Sequence, residues 1–279
     1  SPRRPAPDEK IASNGAAARG SDHQSRRLAL ICQHFYPEMV STGLHMTELS
    51  GALALLGWKI RVYCAKPAEK GSTGAEIPTE DEWRGVRIRR VAPWGAHGDA
   101  LIPRLIFGLT YAFAVVIRLM RDRRSIDGVV ATTNPPFLGL GAVLMRRLFG
   151  IRYCMIVYDI YPEIAVRAGI LREASIIVRA WSAITRAILT NASAIVVIGR
   201  DMEAIVRHKL GHAEIPVVLI PNWSDENNVR PVPLHENSFV KEHGLHGRFI
   251  VQYARTMGRT HNLEPLIEAA RLLVGREEV

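Results

Sequence analysis

Apolar positions in this chain gather into short continuous runs that alternate with longer stretches of helical spacing. Residues 28–32, Leu-Ala-Leu-Ile-Cys, are the first run. A polar loop follows as far as Gly43, and residues 44–56 then place apolar side chains at helical intervals up to Gly57. Apolar runs this short, bounded by turn formers, predict strands, and the spacing after them predicts helices. The same beat gives strands at residues 59–65, 128–131, 153–158, 194–198 and 217–220, with helices at 137–149, 174–190 and 201–210. Residues 86–91 alternate apolar with Arg, as a half-exposed strand does. Strands alternating with helices predict an α/β fold, a doubly wound parallel sheet with both faces covered. Residues 66–83 are rich in Gly, Ser, Thr and Glu without any period, and predict a mobile loop.

The beat also sets boundaries. Residues 1–27 mix Pro, Ala, Gly, Ser and charge without an apolar core, so they are expected to form a disordered tail and not a signal peptide. Residues 28–222 form one domain. Pro221-Asn222-Trp223-Ser224-Asp225 breaks the pattern, and the polar, proline-bearing residues 223–247 read as a connection between domains. A strand at 248–253 and a helix at 262–274 open another unit, residues 248–279, which is expected to be incomplete because two elements bury too little apolar area to stand alone.

Composition narrows the function classes. The chain has 279 residues, 48% hydrophobic and 23% charged, with a net charge of +9. Its basic residues are scattered among acidic ones with no arginine-rich tract, so nucleic acid is not an expected partner. An anionic membrane surface or a phosphate-bearing substrate accounts for the same excess. Cys32, Cys64 and Cys154 sit inside apolar runs with no C-x-x-C spacing, so buried reduced thiols in a cytoplasmic protein are expected, and neither a disulfide framework nor a zinc site. Residues 105–117 are almost wholly apolar, with Arg104 before them and Arg118, Arg121, Arg123 and Arg124 after. A membrane span needs about 20 such residues. Two readings remain open, a core helix with a basic end or a helix lying in the headgroup layer with its arginines on anionic lipid.

Several chemistries are excluded by sequence. There is no G-x-x-x-x-G-K-[ST] loop, no H-E-x-x-H helix and no G-x-S-x-G elbow, and the first loop reads Gln-His-Phe-Tyr-Pro-Glu where a dinucleotide site would carry G-x-G-x-x-G. What remains is a set of polar groups at the C-terminal ends of successive strands: His34, Tyr36, Glu38, Ser41, Thr42 and Gly43 after the first, Asn134 further on, and Tyr158, Asp159 and Glu163 after the run that starts at Tyr153. In a doubly wound sheet these ends share one rim and converge on one crevice. Ser41-Thr42-Gly43 reads either as a helix cap or as an anion-binding helix start. Asn134 before two prolines suits a turn, and Glu163 suits a cap. Asp159, one residue past a buried strand, has little structural reason to be there and points to function.

Taken in order, Tyr36-Pro37-Glu38 with Thr42-Gly43, Thr133-Asn134-Pro135-Pro136, Tyr158-Asp159-Ile160-Tyr161-Pro162-Glu163, Val197-Ile198-Gly199-Arg200-Asp201-Met202, Ile220-Pro221-Asn222-Trp223 and Met257-Gly258-Arg259 resemble the family-four retaining glycosyltransferases. The bacterial enzymes of O-antigen, capsule and exopolysaccharide synthesis are the most similar subgroup. The resemblance implies the two-domain GT-B fold, in which a Rossmann-like acceptor domain faces a donor domain. This chain would supply the first, with the opening strand and helix of the second. It implies a nucleotide-sugar donor, a lipid-linked or saccharide acceptor, a location at the inner membrane face, and no metal or other cofactor. Asp159 and Glu163 would then be catalytic, and Tyr36, Thr42, Gly43, Asn134 and Tyr158 would bind the acceptor. Gly258, Arg259 and His261 would face the donor phosphates, while Arg255-Thr256 stand where the family commonly has Gly-Asn. A sugar-nucleotide epimerase of the same fold, or a non-catalytic membrane-associated remnant of a transferase, are the competing readings.

Overall fold

The protein is seen in a computed structural model that describes residues 26–38, 40–67, 77–92, 101–224, 229–254 and 263–274, with backbone only at 101–105. Eight strands form one sheet: β1 (Arg27–Ile31), β2 (Lys59–Ala65), β3 (Glu80–Trp83), β4 (Val86–Val91), β5 (Gly128–Thr132), β6 (Arg152–Val157), β7 (Ala194–Val197) and β8 (Val217–Leu219). Their order is β3-β4-β2-β1-β5-β6-β7-β8, and every pair is parallel except β3 with β4. From β1 the chain winds outward through β2 and β4, then returns to lay β5 on the other side of β1. The strand order therefore reverses between β1 and β5, and an open α/β sheet leaves its ligand crevice at that point.

Helices cover both faces. On one lies α1 (Ser41–Leu55), over a core of Leu30, Cys32, Phe35, Met46, Ile60, Val62, Cys64, Val86 and Ile88. The other holds α2 (Leu101–Asp122), α3 (Gly139–Phe149), α5 (Ile176–Thr190) and α6 (Arg200–Leu210), which close over Ala29, Ile31, Val129, Ala131, Met155, Val157, Ile195 and Val197. Between α3 and α5 lies the single-turn α4 (Glu163–Arg167). Glycines set how closely α3 packs. A Cβ on Gly139 would stand 2.6 Å from Ile188 of α5, and one on Gly141 would stand 3.0 Å from Val116 of α2.

The residues at 105–117 belong to α2, and its core face is real. Phe107, Tyr111, Val115 and Leu119 are buried at helical spacing, and the Tyr111 hydroxyl donates to the Cys32 carbonyl at 2.7 Å. The opposite face is also apolar and open, with Ile106 50%, Leu109 50% and Phe113 68% exposed. Arg121 and Arg124 lie exposed at the helix end, whereas Arg118 is half-buried and Arg123 lies over the Phe149 ring, 5.3 Å from its centre. The Arg104 side chain is outside the described residues.

Three expectations need correction. The tail gives up Arg27, whose backbone and guanidinium both bind Asp127 and start β1, while residues 1–25 lie outside the described ones. The aperiodic stretch at 66–83 ends in a strand, β3. Charge pairs hold it, Arg89 to Glu80 at 2.6 Å and Arg90 to Asp81 at 3.0 Å, so it lacks the apolar alternation by which strands are read. Its turn, Arg84-Gly85, has positive φ at both residues (48° and 78°), as a two-residue hairpin does. Finally, the apolar run at 248–253 forms no strand. Phe249 and Val251 are 78% and 65% exposed, and among the described residues no strand lies beside them to complete a ladder.

By contacts the chain divides into two units, Ser1–Ile164 with Ala174–Asn222, and Ala165–Glu173 with Trp223–Val279. The second contains α7 (Ser238–Glu242), capped by the Asn237 side chain on the Phe239 and Val240 N–H groups, and α8 (Glu264–Leu273), which buries none of its residues.

Candidate active site

The strand ends at the reversal point are joined by hydrogen bonds. The Gln33 N–H after β1 donates to the Asn134 carbonyl after β5 at 3.3 Å, and the Thr132 hydroxyl donates to the same oxygen at 3.1 Å. The next junction, between β5 and β6, rests on one side chain. The Thr133 hydroxyl oxygen accepts the N–H groups of both Tyr158 and Asp159, each at 3.0 Å, while the Thr133 N–H returns to the Ile156 carbonyl at 3.2 Å. Three consecutive strand ends thus form one continuous rim, with the Asp159 backbone fixed at its far side.

The Asp159 carboxylate forms no hydrogen bond or ion pair among the described residues, although it is half-buried. Burial without a compensating cation holds its carboxyl above the usual carboxylate range. It borders a small recess of about 20 Å³, lined also by Thr133, Val157, Tyr161, Thr185 and Ile188. Outside a functional site a half-buried carboxylate normally acquires a cation or several donors.

Glu163 is placed differently. It opens α4, and one carboxylate oxygen lies 2.5 Å from Lys209 Nζ of α6, while the other is buried with no hydrogen-bond partner among the described residues. Through this pair Glu163 ties α4 to α6. Tyr158 packs its ring against the α1-side core, and burial, with Cys32 nearby, pushes its phenol up to about 12.

Ser41, Thr42 and Gly43 are the first turn of α1 and not its cap. Val40 occupies the cap position, and its side chain offers the first N–H groups of the helix no cap hydrogen bond. Gly43 is required for contact, since a Cβ would stand 3.2 Å from the Glu38 carbonyl and from His34. His34 and Glu38 pair at 3.1 Å on the loop after β1. Tyr36 of that loop turns toward the β3 edge, where its ring stacks on Trp83 at 5.5 Å. Asp159 follows β6, on the other side of β1 from that edge. The rim therefore brings Asn134, Tyr158 and Asp159 together and leaves Tyr36 apart from them. Gly258, Arg259 and His261 lie outside the described residues. Among the described residues no group of three His, Cys, Asp or Glu side chains is placed to share a metal ion.

Sequence reading missed Thr133 as a structural centre, Lys209 as the partner of Glu163, and Arg90. Only Arg90 left a signal. In 86–91 it falls in phase with Val86 and Ile88, and that phase is the buried one.

Residues 42–223 match the family described as Glycosyl transferase 4-like domain. The probable glycosyltransferase WbjE of Pseudomonas aeruginosa is 32% identical over 178 residues, which cover 64% of this chain and 44% of that protein. Thus the chain spans under half the length of the curated relative it matches. Among solved structures, the sucrose-phosphate synthase of Thermosynechococcus elongatus superposes with a TM-score of 0.55 at 17% identity, covering 74% of this chain and 50% of the other. That likeness is one of fold. With a reversing parallel sheet, a polar rim at the reversal point and a family match over most of its length, the chain belongs to the glycosyl transferase 4-like domain family.

Proposed function

We propose that the complete protein transfers a sugar, with retention, from a nucleotide-sugar donor to a lipid-linked or saccharide acceptor in cell-surface polysaccharide synthesis, and that residues 28–222 form its acceptor side. The observation that carries this reading is the Asp159 carboxylate, unpaired among the described residues, on a rim whose two junctions are hydrogen-bonded. In the transfer, the acceptor oxygen bonds to the anomeric carbon as the bond from that carbon to the diphosphate breaks. Positive charge gathers on the sugar ring meanwhile. Asp159 orients the acceptor hydroxyl, and the leaving phosphate takes its proton. Thr42 and Gly43, at the uncapped start of α1, and Asn134 and Tyr158 shape the surroundings of that hydroxyl. Glu163, four residues beyond Asp159, is held by Lys209 of α6 and steadies the start of the turn that follows the rim. Gly258, Arg259 and His261 stabilise the departing diphosphate, a task for fixed cations and backbone donors that requires no metal.

We place the protein peripherally at the inner membrane face, with the open side of α2 toward anionic lipid. No helix among the described residues is long and apolar enough to cross a membrane. The support is the exposed Ile106, Leu109 and Phe113 on α2, together with exposed Arg121 and Arg124 at its C-terminal end.

The test is Asp159→Ala in the complete enzyme. Turnover should fall by about 10²–10⁴-fold with the fold retained. Wild-type turnover in that variant would overturn the assignment, and isomerisation of a nucleotide sugar with no acceptor present would establish an epimerase instead.

A further inference from the structure

Arg90 is the most deeply buried charge in the sheet, 1% exposed, and its place at the end of β4 lies under the loop that follows β1. One guanidinium nitrogen donates to the Pro78 carbonyl at 2.9 Å and to Asp81 at 3.0 Å; the other donates to the Tyr36 carbonyl at 2.9 Å. Its Nε–H has no partner among the described residues. Burying a guanidinium is expensive, and well-packed apolar residues commonly serve stability as well or better. The three bonds that Arg90 does make converge on Tyr36 and on the hairpin beside it.

Tyr36 is also held at two other points. Its N–H donates to the Thr47 hydroxyl of α1 at 3.1 Å, and its ring stacks on Trp83 of β3, over which Gly51 leaves room. Backbone donor, backbone acceptor and ring are all fixed. The loop it belongs to starts at Gln33, which is tied to Asn134 on the rim, and runs through the His34–Glu38 pair. One end of this loop is therefore fastened to the crevice and the other to the β3–β4 hairpin.

We propose that Arg90 is a positioning residue: with Trp83 it clamps Tyr36 and so holds His34 and Glu38 at the height where the rim meets the acceptor. This rests on the acceptor reading of the rim. It gives the edge strand β3, none of whose residues is buried, a purpose in the site. It also accounts for Tyr36 standing apart from Asp159, since Tyr36 is the loop's anchor and the pair flanking it is the part presented.

Arg90→Met and Arg90→Lys in the complete enzyme test this, read by amide exchange and by kinetics with donor and acceptor varied separately. In Arg90→Met, the hydrogen-bonded amides of Tyr36 and Glu38 should exchange at least tenfold faster while those of β5 and β6 keep wild-type protection. The acceptor KM should rise about tenfold with the donor KM unchanged, and Arg90→Lys should fall between. Faster exchange with an unchanged acceptor KM overturns the positioning role, as does unchanged exchange. Should Arg90→Met fail to fold, Trp83→Leu loosens the same loop without unpairing a charge, and the same two readings decide. Asp159→Ala separates the premises: wild-type turnover there removes the acceptor reading itself, whatever the Arg90 variants do.

Discussion

A carboxylate that is half-buried and unpartnered weakens the fold that contains it, and at Asp159 this has a definite pH signature. Because burial raises its folded-state pKa, the folded protein holds that proton more tightly than the unfolded chain. Its contribution to stability then falls as pH rises from about 3.9, the unfolded value, through the raised one. Asp159→Asn should therefore melt at a higher temperature than wild type at neutral pH, with the gap closing as the pH is brought below about 3.9. A gap that is constant with pH would mean that the carboxylate is not strained. Thr133 gives the complementary case. Thr133→Val keeps the shape but leaves the Tyr158 and Asp159 N–H groups without their acceptor. It should cost about 1–3 kcal/mol in unfolding free energy. Turnover should drop by about a hundredfold through displacement of Asp159, and Thr133→Ser should restore both. If the valine variant matches wild type, the rim is not held at this point.

At the scale of elements, packing depends on where side chains are missing. Alanine is the better helix former by about 1 kcal/mol, yet Gly139→Ala should destabilise the protein by about 1–3 kcal/mol, because its Cβ would press into Ile188 at 2.6 Å. Denaturant unfolding measures this, and stabilisation would show that α3 and α5 can part at no cost. Element order was legible in the chain because buried parallel strands announce themselves as apolar runs, from residues 28–32 to 217–220. What escaped was whatever rests on charge or on a partner. β3 is a strand through Glu80 and Asp81, which carry no apolar signal, and 248–253 has the signal but, among the described residues, no neighbour to pair with. The site divides similarly. Asp159 stood out as a polar residue where a strand ends, whereas Thr133 draws its importance from two N–H groups more than twenty residues away in sequence.

For the molecule as a whole, the exposed side of α2 is where a lipid surface would be met under the proposed function. The open face of α2 carries exposed apolar side chains, with Arg121 in its last turn and Arg124 just beyond its end, and each such arginine near an anionic surface contributes about 1 kcal/mol. The protein should sediment with phosphatidylserine-containing vesicles and not with zwitterionic ones. Phe113→Glu should abolish sedimentation, and added salt should weaken it. Equal recovery of wild type and variant in the supernatant would return α2 to a purely structural role. The rim carries a different consequence. Its junctions are made by backbone groups and two threonine hydroxyls, while the side chains of Gln33 and Asn134 take no part in them. Those two positions can change chemistry without disturbing the frame that displays them. Descendants of one such scaffold could then come to favour different acceptors by drift at a few surface residues, with the strand ends beneath left as they are.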